Sequence, residues 1–312
     1  MISCTEFIPA YSELFTYIED KYGREAVTAY WTHRFSSNKN VKYPLLEFLE
    51  REGIRGCFSY WKGTLNEEAA DFTIMLNEKQ GWYKCKMHQC PSKGRLLKLK
   101  DEIGITPYHD YCLHCDSYRF STSKVGLEYI YDFDGEDRAA CTLFIYDPKV
   151  FDGRVIVDEN TEIMDRRAAD NEYFHPAFHN SLNVGVHYLS VTYGFDALKE
   201  FLERFTRRVY CKVIENVKTR GLDAVEEKIR GTYVAEKCED AVSFNRDNGK
   251  LTVNVKYCPA VKFFRETGKE VFPEYKYTTE IVMDTLAKES GFKFEMESYD
   301  EQTGAARYSF CK

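Results

Sequence analysis

Apolar and polar positions follow two rhythms along this chain, and the rhythms recur in the same order. Residues 11–31, YSELFTYIEDKYGREAVTAYW, and 193–217, YGFDALKEFLERFTRRVYCKVIENV, space their apolar side chains three and four apart, which predicts amphipathic helices. EYIYDF at 128–133 and TVNVKY at 252–257 alternate residue by residue, as half-buried strands do. Asp247-Asn248-Gly249 and Asp134-Gly135 supply residues that tolerate positive φ and predict hairpin turns. Each half therefore reads as helices, a hairpin, two short helices and a second hairpin. The expected fold is α+β, with helices packed on a four-stranded antiparallel sheet in each half, as separate sheets or as one sheet across a pseudo-twofold axis.

The recurrence extends to residue identities. At a constant spacing of 168 positions, the distance from Cys90 to Cys258, Gly53 meets Gly221, Gly63-Thr64 meets Gly231-Thr232, Gly81 meets Gly249 and Cys90-Pro91 meets Cys258-Pro259, without a gap. KYGREAVTAYWTHRF from Lys21 answers TYGFDALKEFLERFTRR from Thr192, and KVGLEYIYDF answers ESGFKFEMES. The chain is an internal duplication. Residues 1–146 form the first copy, 147–174 a linker rich in Asp and Arg, and 175–312 a second, degenerate copy.

Composition narrows the function classes. Hydrophobic residues make up 44% of 312 positions, enough for a sizeable core, and 23 Tyr and 22 Phe are numerous enough to wall a pocket as well. Net charge is -7, with lysines and arginines scattered among acids, which argues against a nucleic-acid partner. No basic start precedes an apolar run, and no stretch approaches the roughly 20 apolar residues of a membrane span. A cytoplasmic protein that binds a small-molecule substrate or ligand is expected, its oligomeric state open. Eleven cysteines, an odd number, then imply free thiols rather than a disulfide framework.

The duplication also separates shared features from specialised ones. Cys85 aligns with Val253, on a strand face carrying Tyr83 and Met87 opposite Leu251 and Val255, and is expected in the core. HDYCLHC at 109–115 has no counterpart, because Cys112 and Cys115 meet Tyr277 and Glu280 while His109 and His114 meet Glu274 and Thr279. Cys85, Cys90, Cys112 and Cys115 have the look of a zinc site, yet strand alternation puts Cys85 and Cys90 on opposite faces. His88, Cys90, Cys112 and Cys115 make the better geometric set, with zinc or iron as the metal and no other cofactor implied. On a helix, Cys112 and Cys115 would share a face near its start, where amide dipoles favour thiolate. Two cysteines packed beneath a helix with exposed histidines is the plain alternative. His175 and His179, four apart on a helix with Pro176 in its first turn, form a second pair suited to metal or acid–base work, or simply surface histidines at a helix start. Walker, GxGxxG, GxSxG and kinase motifs are absent.

A strand ending in Cys-Pro before a short helix (MHQCPSKGRLL, YCPAVKFF), a cysteine just before an aspartate (CLHCDSY) and a glycine-led hairpin with a cysteine in its last strand (GLEYIYDFDGEDRAACTLFIY) resemble the L-2-amino-thiazoline-4-carboxylic acid hydrolase family. The likeness covers roughly residues 50–146 and, in degraded form, 220–311. It implies a hydrolase opening a small cyclic amidine or thioether ring at a C–N or C–S bond, with Cys90, Cys115, Cys141 and Asp116 as the residues carried over. His114 or His109 is suited to move the proton, and Arg95 or Lys93 to anchor a carboxylate. Thiolate attack and water activated by a Cys/His-bound metal both remain open. The competing classes are a metal- or ligand-binding sensor without turnover and thiol redox chemistry through Cys112 and Cys115, the latter without its usual βαβ context.

Overall fold

A computed structural model describes residues 1–36, 43–133 and 138–312. The Asp134-Gly135 turn lies outside them. The first copy runs α1 (Phe7–Tyr22), α2 (Arg24–Phe35), α3 (Pro44–Glu52), α4 (Arg55–Glu67), β1 (Asp71–Asn77), β2 (Trp82–Gln89), α5 (Pro91–Ile103), a 3₁₀ helix (Tyr111–Tyr118), α6 (Arg119–Lys124), β3 (Glu128–Phe133) and β4 (Cys141–Tyr146). After β5 (Glu162–Arg166) come α7 (Phe178–Tyr193), α8 (Phe195–Val209), α9 (Cys211–Arg220), α10 (Leu222–Ala235), β6 (Val242–Asp247), β7 (Lys250–Val255), α11 (Pro259–Glu266), a 3₁₀ turn (Pro273–Lys276), α12 (Tyr277–Glu289), β8 (Lys293–Tyr299) and β9 (Ala306–Cys311). Element for element, the second series repeats the first.

The fold is α+β with two antiparallel sheets, ordered β3-β4-β2-β1-β5 and β6-β7-β9-β8. The second copy's sheet has the expected four strands. The first has five, because part of the segment read as linker pairs along the open edge of β1, Ile74 opposite Met164. Edge strands attract such pairing through their free N–H and C=O groups. Two compact units result, one of residues 18–101 and 106–175, the other of 1–17, 102–105 and 176–312. The opening residues thus group with the second copy, and the linker with the first.

In the first of these units, Leu45, Cys57, Trp61, Phe72, Ile74, Tyr83, Cys85 and Ile145 form a buried cluster under the sheet. Each large apolar side chain buried there contributes about 1.5–3 kcal/mol. Cys85 is core, as strand alternation predicts. That alternation fails one turn later: Phe72 pairs with Met87 and Asp71 with Gln89, leaving His88 as the extra residue of a β-bulge. His88 stays on the solvent face with Lys86, and the bulge turns Cys90 back against the same core as Cys85. The expectation that His88 and Cys90 share a face is corrected by that one residue. In the other unit, α8 buries Leu198, Phe201, Leu202 and Phe205, the stripe its periodicity predicts.

Backbone conformation repeats as closely as sequence. Gly53 and Gly221 end α3 and α9 at φ 60°, ψ -140° and φ 64°, ψ -140°, a left-handed region open to glycine. Asn248 and Gly249 both take positive φ in the β6–β7 turn. After α4 and α10, Ala69 (φ 51°) and Lys237 (φ 56°) are left-handed without being glycine. Their hydrogen bonds match: Ala70 N–H to Leu65 O and Cys238 N–H to Tyr233 O, each closing its helix end. All eleven cysteines are free thiols. Among the described residues, no helix is long and apolar enough to cross a membrane.

A left-handed β-carbon costs about 1–2 kcal/mol, partly offset by glycine's greater entropy loss. Lys237→Gly is expected to stabilise the protein by about 0.5–1 kcal/mol in urea unfolding, and an unchanged or lower midpoint would contradict the strain.

Candidate functional site

In the unit holding the first copy, Glu68 caps the end of α4, β2 runs into α5 through Cys90, and the 3₁₀ helix carries Cys112, His114 and Cys115. A 3₁₀ helix has three residues per turn, so Cys112 and Cys115 stack along one side. Cys141 opens β4 opposite Met87 and Phe133. The four thiols and Glu68 are electrostatic neighbours around Cys115.

Burial decides the state of these thiols. It pushes Cys90 up to about 12, against the pull of the Lys93 amide, which donates to its sulfur at 3.5 Å. Burial, then the adjacent Cys141, Cys90, Cys112 and Glu68, push Cys115 well above its ordinary value of 9.0. At Cys115 desolvation, with the neighbouring thiols and Glu68, outweighs one short helix's dipole, so the helix start does not favour thiolate there. Burial likewise pushes the Glu68 carboxyl up, against the nearby His175 and Arg95.

His114 supplies the local order. Its Nδ1–H donates to the Tyr111 carbonyl, which fixes the neutral tautomer and leaves Nε2 bare, 3.6 Å from Cys115 Sγ. Burial lowers its pKa to about 4, against that hydrogen bond. The Tyr129 hydroxyl donates to the Cys115 carbonyl at 2.8 Å and pins the turn to β3. The resting pair is a thiol donating toward a neutral imidazole.

The remaining sequence candidates fall around this centre. Cys112 lines a small cavity with His109, Asp110, Leu113 and Phe133, of about 10 Å³, roughly one water. His109 is exposed, 3.7 Å from Asp110 and 3.8 Å from Glu19. Asp116 points outward in an ion pair with Arg119. His88 bonds Thr73 at 2.8 Å on the outer face, so the set of His88, Cys90, Cys112 and Cys115 is not assembled. Lys93 is buried. The Arg95 guanidinium lies 3.3 Å from the centre of the Tyr173 ring, and its buried Nε has no hydrogen-bond partner among the described residues.

His175 and His179 do not form a pair on one helix. α7 starts only at Phe178, after a Pro176 turn. His175 Nδ1 faces the Glu67 carboxylate. His179, in the unit holding the second copy, is buried with Tyr275 at 3.0 Å from Nδ1 and Glu236 at 3.0 Å from Nε2. There Cys4, His179 and Glu236 bring ligand atoms within 4.8 Å of one another, the one such group among the described residues that could hold a metal ion. Burial pushes Glu236 up, but hydrogen bonding and charge from His179, with the Cys4 amide, bring it below its ordinary value.

Sequence reasoning missed Glu68, Glu236, Cys4 and Tyr275. The two glutamates were visible, since Gly63-Thr64…Glu68 and Gly231-Thr232…Glu236 repeat at the same spacing of 168. Cys4 and Tyr275 carry no local signal and are joined by folding alone. Comparison with protein-family models, curated proteins and solved structures finds no match for this chain.

The lowered His114 pKa has a measurable consequence. Its unfolded form takes up a proton near pH 6.5 and its folded form near 4, so the unfolded chain binds more protons between them and stability falls as pH falls through that window. Urea unfolding at steps from pH 7 to 4.5 is expected to show a shallower decline for His114→Gln. Parallel curves would mean the imidazole is not held neutral.

Proposed function

We propose that the protein is a hydrolase that opens a small cyclic amidine bearing a carboxylate, of the thiazoline type, at a C–N or C–S bond, with Cys115 as nucleophile. The observation that carries the proposal is His114 Nε2 held 3.6 Å from the Cys115 thiol while its Nδ1 bonds the Tyr111 carbonyl. The resemblance of the Cys-Pro, Cys-Asp and last-strand cysteine segments to the thiazoline carboxylate hydrolases supports the same chemistry.

A proton moving from a thiol above 9 to an imidazole near 4 climbs about 7 kcal/mol or more, so free thiolate does not accumulate. Attack is therefore concerted: Sγ bonds the amidine carbon as its proton passes to Nε2. The ring C–N or C–S bond then breaks, and the leaving atom takes the proton from His114 Nε2, which restores that nitrogen as a base. Water, deprotonated at Nε2, cleaves the Cys115 adduct and restores the thiol. Arg95 shares Glu68 as a neighbour with Cys90 and Cys115 and supplies a cation for the carboxylate, its ring-stacked side chain already ordered. Cys90 and Cys141 wall the thiol.

The test is hydrolysis of 2-amino-thiazoline-4-carboxylate and its ring analogues, followed by mass spectrometry of products. Wild type is expected to turn over, Cys115→Ser to be inactive, His114→Gln to lose about 10²–10⁴-fold in kcat, and Arg95→Met to raise KM. Turnover by Cys115→Ser at the wild-type rate, or no hydrolysis of any cyclic amidine carboxylate, would contradict the proposal.

A further inference from the structure

We infer that Cys4, His179 and Glu236 form a zinc site in the unit that holds the second copy, separate from the thiol chemistry proposed for the other unit. The three side chains are buried, at 1%, 1% and 5% exposure, and contribute one sulfur, one nitrogen and one carboxylate oxygen within 4.8 Å of one another. Zinc takes such mixed donors at about 2.0–2.3 Å, so the group needs to close by about an ångström around the ion. A thiolate with an imidazole excludes magnesium and calcium, which favour all-oxygen shells.

The donors are aimed by contacts of their own. Glu236 Oε1 accepts the Cys4 N–H at 2.6 Å, which fixes the backbone that carries the sulfur. Oε2 faces His179 Nε2, and the Tyr275 hydroxyl lies 3.0 Å from Nδ1. That is the arrangement in which a metal-binding histidine is oriented through its second nitrogen. Glu236 sits on the closed end of α10 and His179 in the first turn of α7, so two donors ride on regular elements.

The metal displaces the proton on His179 Nε2 and the Cys4 thiol proton, and Nδ1–H donates to the Tyr275 hydroxyl in the bound state. Three protein donors leave one tetrahedral position for a solvent or ligand atom. A cleft of about 400 Å³ is lined by Ser3 and Thr5 on either side of Cys4, and by Thr232 and Ala235 close to Glu236 in the chain. The site belongs to one copy: aligning the Tyr22-Gly23 and Tyr193-Gly194 helix ends puts His175 at the place of Cys4 and Ile8 at that of His179, and only the glutamate recurs, as Glu68.

The full-length protein, stripped with chelator, is titrated with zinc by calorimetry and with cobalt by absorption. One equivalent is expected, with a thiolate-to-cobalt charge-transfer band in wild type and in a Cys90→Ser, Cys115→Ser variant. Cys4→Ala, which keeps the backbone N–H bonded to Glu236, is expected to keep its metal-free melting temperature and lose the band. Tyr275→Phe should bind about 10–100-fold more weakly. No binding at micromolar zinc, or one equivalent retained by Cys4→Ala and lost with Cys90 and Cys115, would overturn the inference. The wild-type spectrum alone decides whether a thiolate binds the metal, should Cys4→Ala fail to fold.

Discussion

A glutamate carried inward at the end of the fourth helix of each copy is the constraint around which both candidate centres are arranged. Moving a carboxylate out of water is costly unless it is paired or kept neutral, and the two copies solve the problem in opposite ways. Glu236 keeps its charge, with His179 and the Cys4 amide holding it below its ordinary pKa. At Glu68 burial outweighs the pull of His175, Arg95 and a Ser92 hydrogen bond, and its pKa is raised. One fold position thus gives an anion suited to a cation in one unit and, in the other, a carboxyl beside thiols whose pKa burial raises. The left-handed Ala69 and Lys237 that follow suggest the position is held by the backbone in both, since each helix closes by the same hydrogen bonds.

The chemistry differs because the surroundings differ. Beside Glu68, burial raises the pKa of the Cys90 and Cys115 thiols, and reactivity rests on the His114 tautomer rather than on preformed thiolate. Around Glu236 one thiol, one imidazole and a tyrosine converge. A metal was expected from the Cys90, Cys112 and Cys115 segment, but the donors close enough to share an ion lie in the unit with the second copy, and only His179 of the sequence candidates is among them.

Much of the architecture was legible because it is repeated. The paired glycines, the Cys-Pro joints and the Asn248-Gly249 turn each have a local physical cause, and the element order and the second sheet follow from them. What escaped was decided by single residues or by distant parts of the chain. One extra residue at His88 reversed the face on which Cys90 falls, and the Pro176 turn delayed α7 until Phe178, which separated His175 from His179. β5 exists because an open strand edge accepted a polar segment with weak strand character of its own. Cys4 lies 232 residues from Glu236, a pairing that no local pattern encodes.

The central claim is that a neutral His114 presents a bare Nε2 to a protonated Cys115. Long-range proton–nitrogen correlation spectra of imidazole-labelled protein report the state of both ring nitrogens directly. The account predicts protonation at Nδ1 alone, persisting from pH 7 to below pH 5, since the His114 pKa is near 4. A proton on Nε2 at rest, or a fully protonated ring at neutral pH paired with a Cys115 thiolate, would contradict it.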